Sequence, residues 1–369
     1  MTDSQARATY DELVQLLAEA GARWAGPDWG VESPDDVAEA LRNLTHILQS
    51  ALLAHQEFDP DRPVFNRIVS PTRSFTGDNA DAVYFEAPVS GDREYIIQGN
   101  TAGAVYTSFT MEAGATDGKW ATANVGVLRD DDIDIDADGN YEIRVGGSTT
   151  SRNHLPIPPE GGRITTRHYF EWPTSAAASQ TLHIPLSIRA VDPPAPPHRW
   201  NDERVAAALR RVVNHVRDKT IDAPRRGQVM PPWLSTTPNQ FPAPQKPGSM
   251  AFAAADAAYS MAPYALGPDE ALVITGRWPT CRFANVSLWN RFSQMYDYVN
   301  RPVSRNRANT TLEPDGTFRM ILAHEDPGLP NWLDTEGRPS GTVFWRFFLP
   351  EGAIETPRAE VVAFARLPR

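Results

Sequence analysis

The chain has 369 residues and a formal charge of −11 at neutral pH, with apolar residues at 41% and charged residues at 22%. That is ordinary globular usage, which excludes disordered, collagen-like and coiled-coil chains. The acidic surplus repels phosphate backbones and anionic lipid surfaces, so neither nucleic acid nor a membrane is an expected partner.

At roughly 100 to 200 residues per domain, two domains are expected. Cys281 is the only cysteine, so an intrachain disulfide and a cysteine-built zinc site are both ruled out, and a cytoplasmic location is the expectation. Asp3, Glu12, Glu19 and Asp28 interrupt the first thirty residues, unlike the apolar core of a secretory signal.

Residues 1–58 read as a helical preamble. Leu13, Leu16, Leu17 and Ala20 recur at helical spacing, and Ser33-Pro34-Asp35-Asp36 is an entry signal for a second helix. Its apolar face is expected at Val37, Leu41, Leu44, Ile47, Leu48 and Leu52.

Residues 59–192 change to short runs of Val, Ile, Tyr, Phe and Thr between turn residues, the pattern of a β-sandwich. Strands are expected at Ala82–Glu86, Tyr95–Gln98, Val105–Met111, Tyr141–Val145, Ile164–Phe170 and Leu182–Ile188. Residues 193–262 hold a bridging helix near Asp202–Thr220, capped by Asn201, and then a proline-rich arm. Met230, Trp233, Leu234 and Phe241 in the arm call for burial, against a partner domain or a second subunit, so a homo-oligomer built through the arm is one option.

Residues 263–369 repeat the strand pattern. Asp138-Gly139-Asn140-Tyr141 aligns with Asp315-Gly316-Thr317-Phe318, Asn153-His154-Leu155 with Asn331-Trp332-Leu333, and His168–Pro173 with Trp345–Pro350. Upstream, Asp81–Tyr84 resembles Glu270–Val273. Matches in one order argue for a duplicated unit. The expected fold is mainly β: two tandem jelly-roll-like β-sandwiches with an amino-terminal helical segment and one bridging helix.

In the second half, the strings Asp269–Arg277, Cys281–Val286, Leu288–Arg291, Ala323–Gly328 and Asn331–Thr335 resemble the carboxy-terminal domain catalogued as domain of unknown function 1214, over roughly residues 263–350. The resemblance implies a jelly-roll-like sandwich, often preceded by a second β domain, and carries no activity with it.

Several motifs invite chemistry. Asp134, Asp136, Asp138 and Gly139 fall at EF-hand loop positions 1, 3, 5 and 6, but Val145 stands at position 12, and the run reads as a solvated hairpin edge. His324, Asp326 and Asp334 are the candidate acid/base groups, on loops at the end of an expected strand. Trp289, Asn290, Tyr298, Arg307, Asn331, Trp332 and Arg346 are the candidate substrate-binding residues: flat rings to stack on, with amide and guanidinium groups to bind hydroxyls or carboxylates. Against this, His324 and Asp326 suit a loop-holding role, and the tryptophans suit a core. A metal is left open. Gly-x-Ser-x-Gly, Walker A and dinucleotide fingerprints are missing, so no nucleotide cofactor is expected, and Cys281, on an expected strand, reads as a buried thiol.

The functional expectation is a small-molecule enzyme using acid/base or metal-assisted, hydrolase- or lyase-type chemistry on a hydroxylated ring-containing substrate. The alternatives are a non-catalytic carbohydrate or small-ligand binding protein and an oligomeric assembly module.

Overall fold

The computed structural model describes residues 4–367 apart from 115, 149–150, 198, 224–230, 248–253 and 255. Its helices are α1 (Gln5–Trp24), α2 (Pro34–His55) and α3 (Asp202–Lys219). The first strands are β1 (Asn66–Arg67), β2 (Ala82–Val89), β3 (Tyr95–Asn100), β4 (Tyr106–Gly114), β5 (Ala121–Arg129), β6 (Asn140–Val145), β7 (His154–Leu155), β8 (Gly162–Tyr169) and β9 (Leu186–Ala190). A second set follows: β10 (Ala257–Ala265), β11 (Glu270–Gly276), β12 (Phe283–Trp289), β13 (Ser304–Asn306), β14 (Phe318–Ala323), β15 (Trp332–Asp334), β16 (Ser340–Phe348) and β17 (Arg358–Ala363).

The protein is mainly β, with two tandem jelly-roll-like sandwiches. The first is built from sheets ordered β1-β2-β8-β4-β5 and β7-β6-β3-β9, the second from β10-β16-β12-β13 and β15-β14-β11-β17. Adding eight to each label of β2–β9 converts the first pair of orders into the second, β1 being an extra edge strand. The correspondence extends to direction, because β6–β7 and β14–β15 are both parallel pairs. The hairpins at Asp138-Gly139 and Asp315-Gly316 precede equivalent strands, as the aligned sequences imply. One alignment is corrected: Asp81–Tyr84 enters β2, the counterpart of β10, whereas Glu270–Val273 lies in β11, the counterpart of β3.

Contacts divide the chain into a first unit of residues 1–69, 84–168 and 182–226 and a second of residues 70–83, 169–181 and 227–369. All three helices fall in the first unit. Ser33 accepts from the Asp36 N–H and Asp36 accepts from the Ser33 N–H, both at 3.1 Å, a reciprocal cap that starts α2. The buried stripe of α2 is Ala40, Asn43, Leu44, Ile47, Ser50, Ala51 and His55, while Leu41 and Leu52 are exposed, so the expected face is rotated. The reason is polar burial: Asn43 accepts from Trp24 Nε1 at 2.7 Å, which takes a non-apolar side chain inward.

Between the sheets of the first sandwich lie Tyr95, Ile97, Phe109, Met111, Ile143, Val145 and Ile164. In the second unit Trp345 stacks on Phe318 at 5.5 Å within a buried set that includes Leu272, Ile274, Val286 and Leu288. The described part of the arm, residues 231–247, runs beside β10. Trp233 O accepts from Met261 N–H, and Gln245 and Tyr259 exchange backbone bonds of 2.8 and 2.9 Å. Trp233 packs on Tyr259 and Phe344, and Phe241 meets the edge of Trp345. Trp233 and Phe241 are thus packed within the arm's own unit; Met230 lies outside the described residues.

The duplication reaches single hydrogen bonds. Asn153 donates to the carbonyls of Asp134 and Glu142 at 3.1 and 2.9 Å and accepts from the Asp134 N–H. Asn331 donates to those of Thr311 and Arg319 at 2.8 and 2.9 Å and accepts from the Thr311 N–H at 2.8 Å. Each carboxamide clips a two- or three-residue parallel strand to its neighbour. Asn331→Ala forfeits three bonds of about 1 kcal/mol each, so chemical denaturation of the variant is expected to show a loss of about 3 kcal/mol, and a loss under 1 kcal/mol would contradict the clip.

Candidate functional site in the first unit

The side chains expected to form a pocket in the second sandwich are engaged elsewhere. His324 Nδ1 lies 2.6 Å from Thr335 Oγ1 and its Nε2 lies 3.2 Å from the Gly267 carbonyl, so the imidazole ties two loops together. Asp326 accepts from the Gly328 N–H at 2.8 Å and shapes the Pro-Gly turn. Asp334 is buried, paired with Arg301 at 2.7 Å, and accepts from the Glu336 N–H.

The binding candidates fare the same way. Asn331 is the clip just described, and Trp332 Nε1 donates to the Ala323 carbonyl at 3.2 Å. Asn290 organises its own loop by accepting from the N–H groups of Phe292 and Gln294. Arg307 chelates Glu171 through Nε and donates to the carbonyls of Cys281 and Arg282. Trp289 and Tyr298 are buried, and Arg346 lies 4.8 Å over the Trp289 ring and 4.0 Å over Phe344. Each of these side chains is thus held by contacts within its own unit. Cys281 precedes β12 rather than lying on a strand, and burial pushes its thiol up to about 11, away from nucleophilic use.

The outward face of β12–β16 in the second unit is a packed amide and carboxylate network. Asn285 Nδ2 donates to Asn79 Oδ1 and Asp81 Oδ2 at 2.7 and 2.8 Å, and Asn306 Nδ2 donates to Asp81 Oδ1 at 2.9 Å. Asp78 accepts from Ser74 Oγ at 2.6 Å and from the Met295 N–H at 2.8 Å. Burial raises both Asp78 and Asp81 to about 6, against the pull of those hydrogen bonds. The network fixes residues 70–83 to the sheet.

A carboxyl raised from 3.8 to about 6 stabilises the fold below pH 3.8 and loses that contribution as pH climbs through 6. Asp78→Asn, whose amide Ser74 can serve by turning its hydroxyl, is therefore expected to gain stability relative to the parent between pH 4 and 7. Urea unfolding at both pH values checks this; a pH-independent difference would refute the raised carboxyl.

The solvent face of β6–β3–β9 in the first unit carries an open depression of about 830 Å³ lined by Gln98, Asp134, Asp136, Asn140, Glu142 and Ser187, among others. Its acids serve the turn: Asp136 accepts from the N–H groups of Asp138 and Asn140, and Asp134 pairs with Arg152. The Tyr141 ring packs against Phe109 in the core, so it is not presented as a stacking platform.

The opposite face of this unit differs. Strand alternation sends Glu86 of β2, Thr110 and Glu112 of β4, and Arg163, Thr165 and Arg167 of β8 outward from the sandwich core. Arg163 bridges Glu86 at 3.0 Å and Glu112 at 2.6 Å, and Arg167 bonds Thr110 Oγ1 at 2.7 Å with Glu112 3.8 Å away. All are buried or nearly so. Burial works against the Arg163 charge, yet Glu112 and Glu86 hold it above its ordinary value.

Over this layer lie His55 of α2 and His215 and Lys219 of α3. His55 Nε2 and His215 Nδ1 are 3.0 Å apart, and burial, followed by the charge of Lys219, drops His55 to about 3, so the imidazole is neutral. Lys219 is 6% exposed and its Nζ has no hydrogen-bond partner among the described residues. The ammonium sits 3.7 Å over the Trp120 ring. Burial first, then the Arg163 charge, lowers Lys219 from 10.5 to about 7; Asp218, Glu86 and Glu112 pull the other way without restoring it.

Burial sets the result and the charge count of the sheet adds to it. Two carboxylates face two guanidiniums, so the lysine is the surplus cation in a dry layer, and the neutral amine is the cheaper state. The sequence carried a signal for this position. The chain has three lysines against 32 arginines, and Lys219 lies three residues beyond Val216 on the buried stripe of α3.

No protein-family model and no curated protein matches the chain. Among solved structures it is similar to an uncharacterized protein from Burkholderia cenocepacia, with 28% identity, a TM-score of 0.84, and 97% of this chain and 98% of that one covered. A second, the VPA0106 protein from Vibrio parahaemolyticus, matches at 12% identity and a TM-score of 0.48 over 87% of this chain and 97% of that chain.

A Lys219 to methionine replacement removes the surplus cation. A base held at about 7 contributes its stability above 10.5 and loses it as pH falls through 7. Lys219→Met is thus expected to be more stable than the parent by about 1 to 4 kcal/mol at pH 7, with the gain shrinking toward pH 10. Thermal unfolding at the two pH values measures it, and a variant less stable at pH 7 would contradict the unpaired state.

Proposed function

We propose that the protein is a small-molecule enzyme whose reactive group is the Lys219 amine, acting on a small anionic carbonyl compound. The observation that carries this reading is a buried amine without a hydrogen-bond partner, poised near 7, in a layer whose carboxylates are already matched by arginines. Such an amine is unprotonated in a large fraction of molecules at neutral pH and is competent as a base or a nucleophile. Its lone pair can attack a carbonyl carbon, and loss of water from the carbinolamine gives an imine. The surplus positive charge of the protonated form, with Arg163 and Arg167 beside it, favours an anionic reactant.

The acid/base chemistry expected from the sequence is thereby kept and moved. It leaves His324, Asp326 and Asp334 of the second sandwich, which are engaged in loop contacts, for the helix-covered face of the first. The resemblance of residues 263–350 to domain of unknown function 1214 gives the second sandwich a family assignment as a proposal, and its single cysteine suits a reducing, cytoplasmic setting. Among the described residues no helix is long and apolar enough to cross a membrane.

Three lysines make the test direct. Protein labelled with ¹³C at lysine Cε gives three resonances, and Lys219→Met identifies one of them. That resonance is expected to titrate near 7. Borohydride reduction in the presence of glyoxylate is expected to leave an adduct on Lys219, found by peptide mass spectrometry. Titration at the ordinary lysine value, or adducts confined to Lys119 and Lys246, would overturn the proposal.

A further inference from the structure

The Lys219 amine is covered by the tip of the β4–β5 hairpin, and the way that tip is fastened differs from the rest of the hairpin. Between Ala121 and Arg129, β5 is held to β4 by a regular ladder with two irregularities. The tip, Asp117–Trp120, instead bonds to α3. Asn214 Nδ2 donates to the Asp117 carbonyl at 2.8 Å, the Trp120 N–H donates to Asp218 Oδ2 at 2.5 Å, and the Trp120 ring lies against the Lys219 ammonium.

Gly118 completes the contact. Its φ of +93° is a conformation side chains rarely adopt, and a Cβ built there would collide with the Arg211 carbonyl oxygen on α3. The tip therefore meets α3 backbone to backbone at Gly118, beside the Asn214 and Asp218 hydrogen bonds and the Trp120 ring contact. Asp117 and Lys119 are exposed, so the apolar cost of lifting the tip falls on Trp120, itself only half-buried. A segment with few buried apolar contacts and peripheral hydrogen bonds opens at a small fraction of the global unfolding free energy.

We propose that Asp117–Trp120 is a lid over the Lys219 amine, and that its release from α3 is the route by which a small anionic reactant reaches that amine. The inference rests on the reading of Lys219 as the reactive group. Closed, the Trp120 ring offers its π face to the ammonium and keeps water off it; open, the ring is withdrawn and the amine meets solvent or reactant.

The experiment is reductive methylation with formaldehyde and cyanoborohydride, followed residue by residue by mass spectrometry in the parent, Gly118→Ala and Asn214→Ala. Lys246, on the arm of the second unit, is the internal reference. In the parent, Lys219 is expected to react at least tenfold more slowly than Lys246. In both variants its rate is expected to rise tenfold or more, with Lys246 unchanged and the thermal transition of the whole protein within a few degrees of the parent. In Gly118→Ala the ¹³C-observed titration of Lys219 is also expected to move upward, because water reaches the ammonium.

Equal Lys219 rates in all three proteins would overturn the lid, as would acceleration only in step with a lowered thermal transition. The two readings fail separately. A Lys219 resonance that titrates at the ordinary lysine value in the parent sinks the reactive amine. A depressed titration with rates insensitive to both variants sinks the lid alone.

Discussion

The pairing of Arg163 with Glu86 and Glu112 is the constraint on which the first unit is organised. A sheet normally offers a helix an apolar face. Here β2, β8 and β4 offer charge, and desolvated charge is tolerated only when matched and hydrogen-bonded. The two carboxylates and two guanidiniums offset one another in charge, with Glu112 Oε1 left without a hydrogen bond among the described residues, and that balance bears on everything packed above. His55 is neutral, and Lys219 has no anion left to take. An amine that loses its proton easily is thus first a product of its burial and then of the Arg163 charge nearby, with the sheet's carboxylates engaged by the arginines.

The same sheet position is used differently in the second unit. Ser108, Thr110 and Glu112 correspond in strand order to Asn285, Ser287 and Trp289. The ladders bear this out, since Ser108 pairs with Arg129 as Asn285 pairs with Asn306. Where the first unit brings a lysine down from a helix, the second brings Asn79 and Asp81 down from an extended segment and locks them with amides. One scaffold carries a layer with a buried ammonium that has no hydrogen bond among the described residues and a layer whose buried carboxylates are hydrogen-bonded to amides and a hydroxyl.

Most of the architecture could be read from the residues. Strand type, the duplication, the caps at Ser33 and Asn201 and the Asp138 and Asp315 hairpins follow from local chemistry that the fold respects. What escaped was set by tertiary context. β5 was missed although Ala121, Ala123, Val125 and Val127 alternate with Thr122, Asn124 and Gly126, a short run of small residues on an edge that is largely exposed. The α2 face was rotated because Asn43, Ser50 and His55 are buried, and a hydrophobicity reading sends such residues outward. The contacts of the candidate residues in the second half were hidden for a related reason. His324, Asn331 and Asp334 look chemical because their polar groups sit in loops, yet their partners are backbone or side-chain groups distant in sequence, which spacing does not reveal. Lys219 was not singled out, since a cation in the last turn of a helix is ordinary, although lysine is scarce elsewhere in the chain.

The duplication carries a hazard that the two outer faces resolve. A chain with two copies of one strand order can, while folding, seat a strand of one copy in the sheet of the other, the usual misassembly of tandem repeats. Core-facing residues would not prevent it, since both sandwiches fill their interiors with similar aliphatic and aromatic side chains. The outward residues would. Strand β8 transplanted into the second sheet would bring Arg163 and Arg167 without Glu112, and β16 placed in the first would set Phe344 where a guanidinium is needed. Each exchange leaves a buried charge unmatched, so the chemistry that separates the two faces also sorts the strands, and each half of the chain is selected for its own partners.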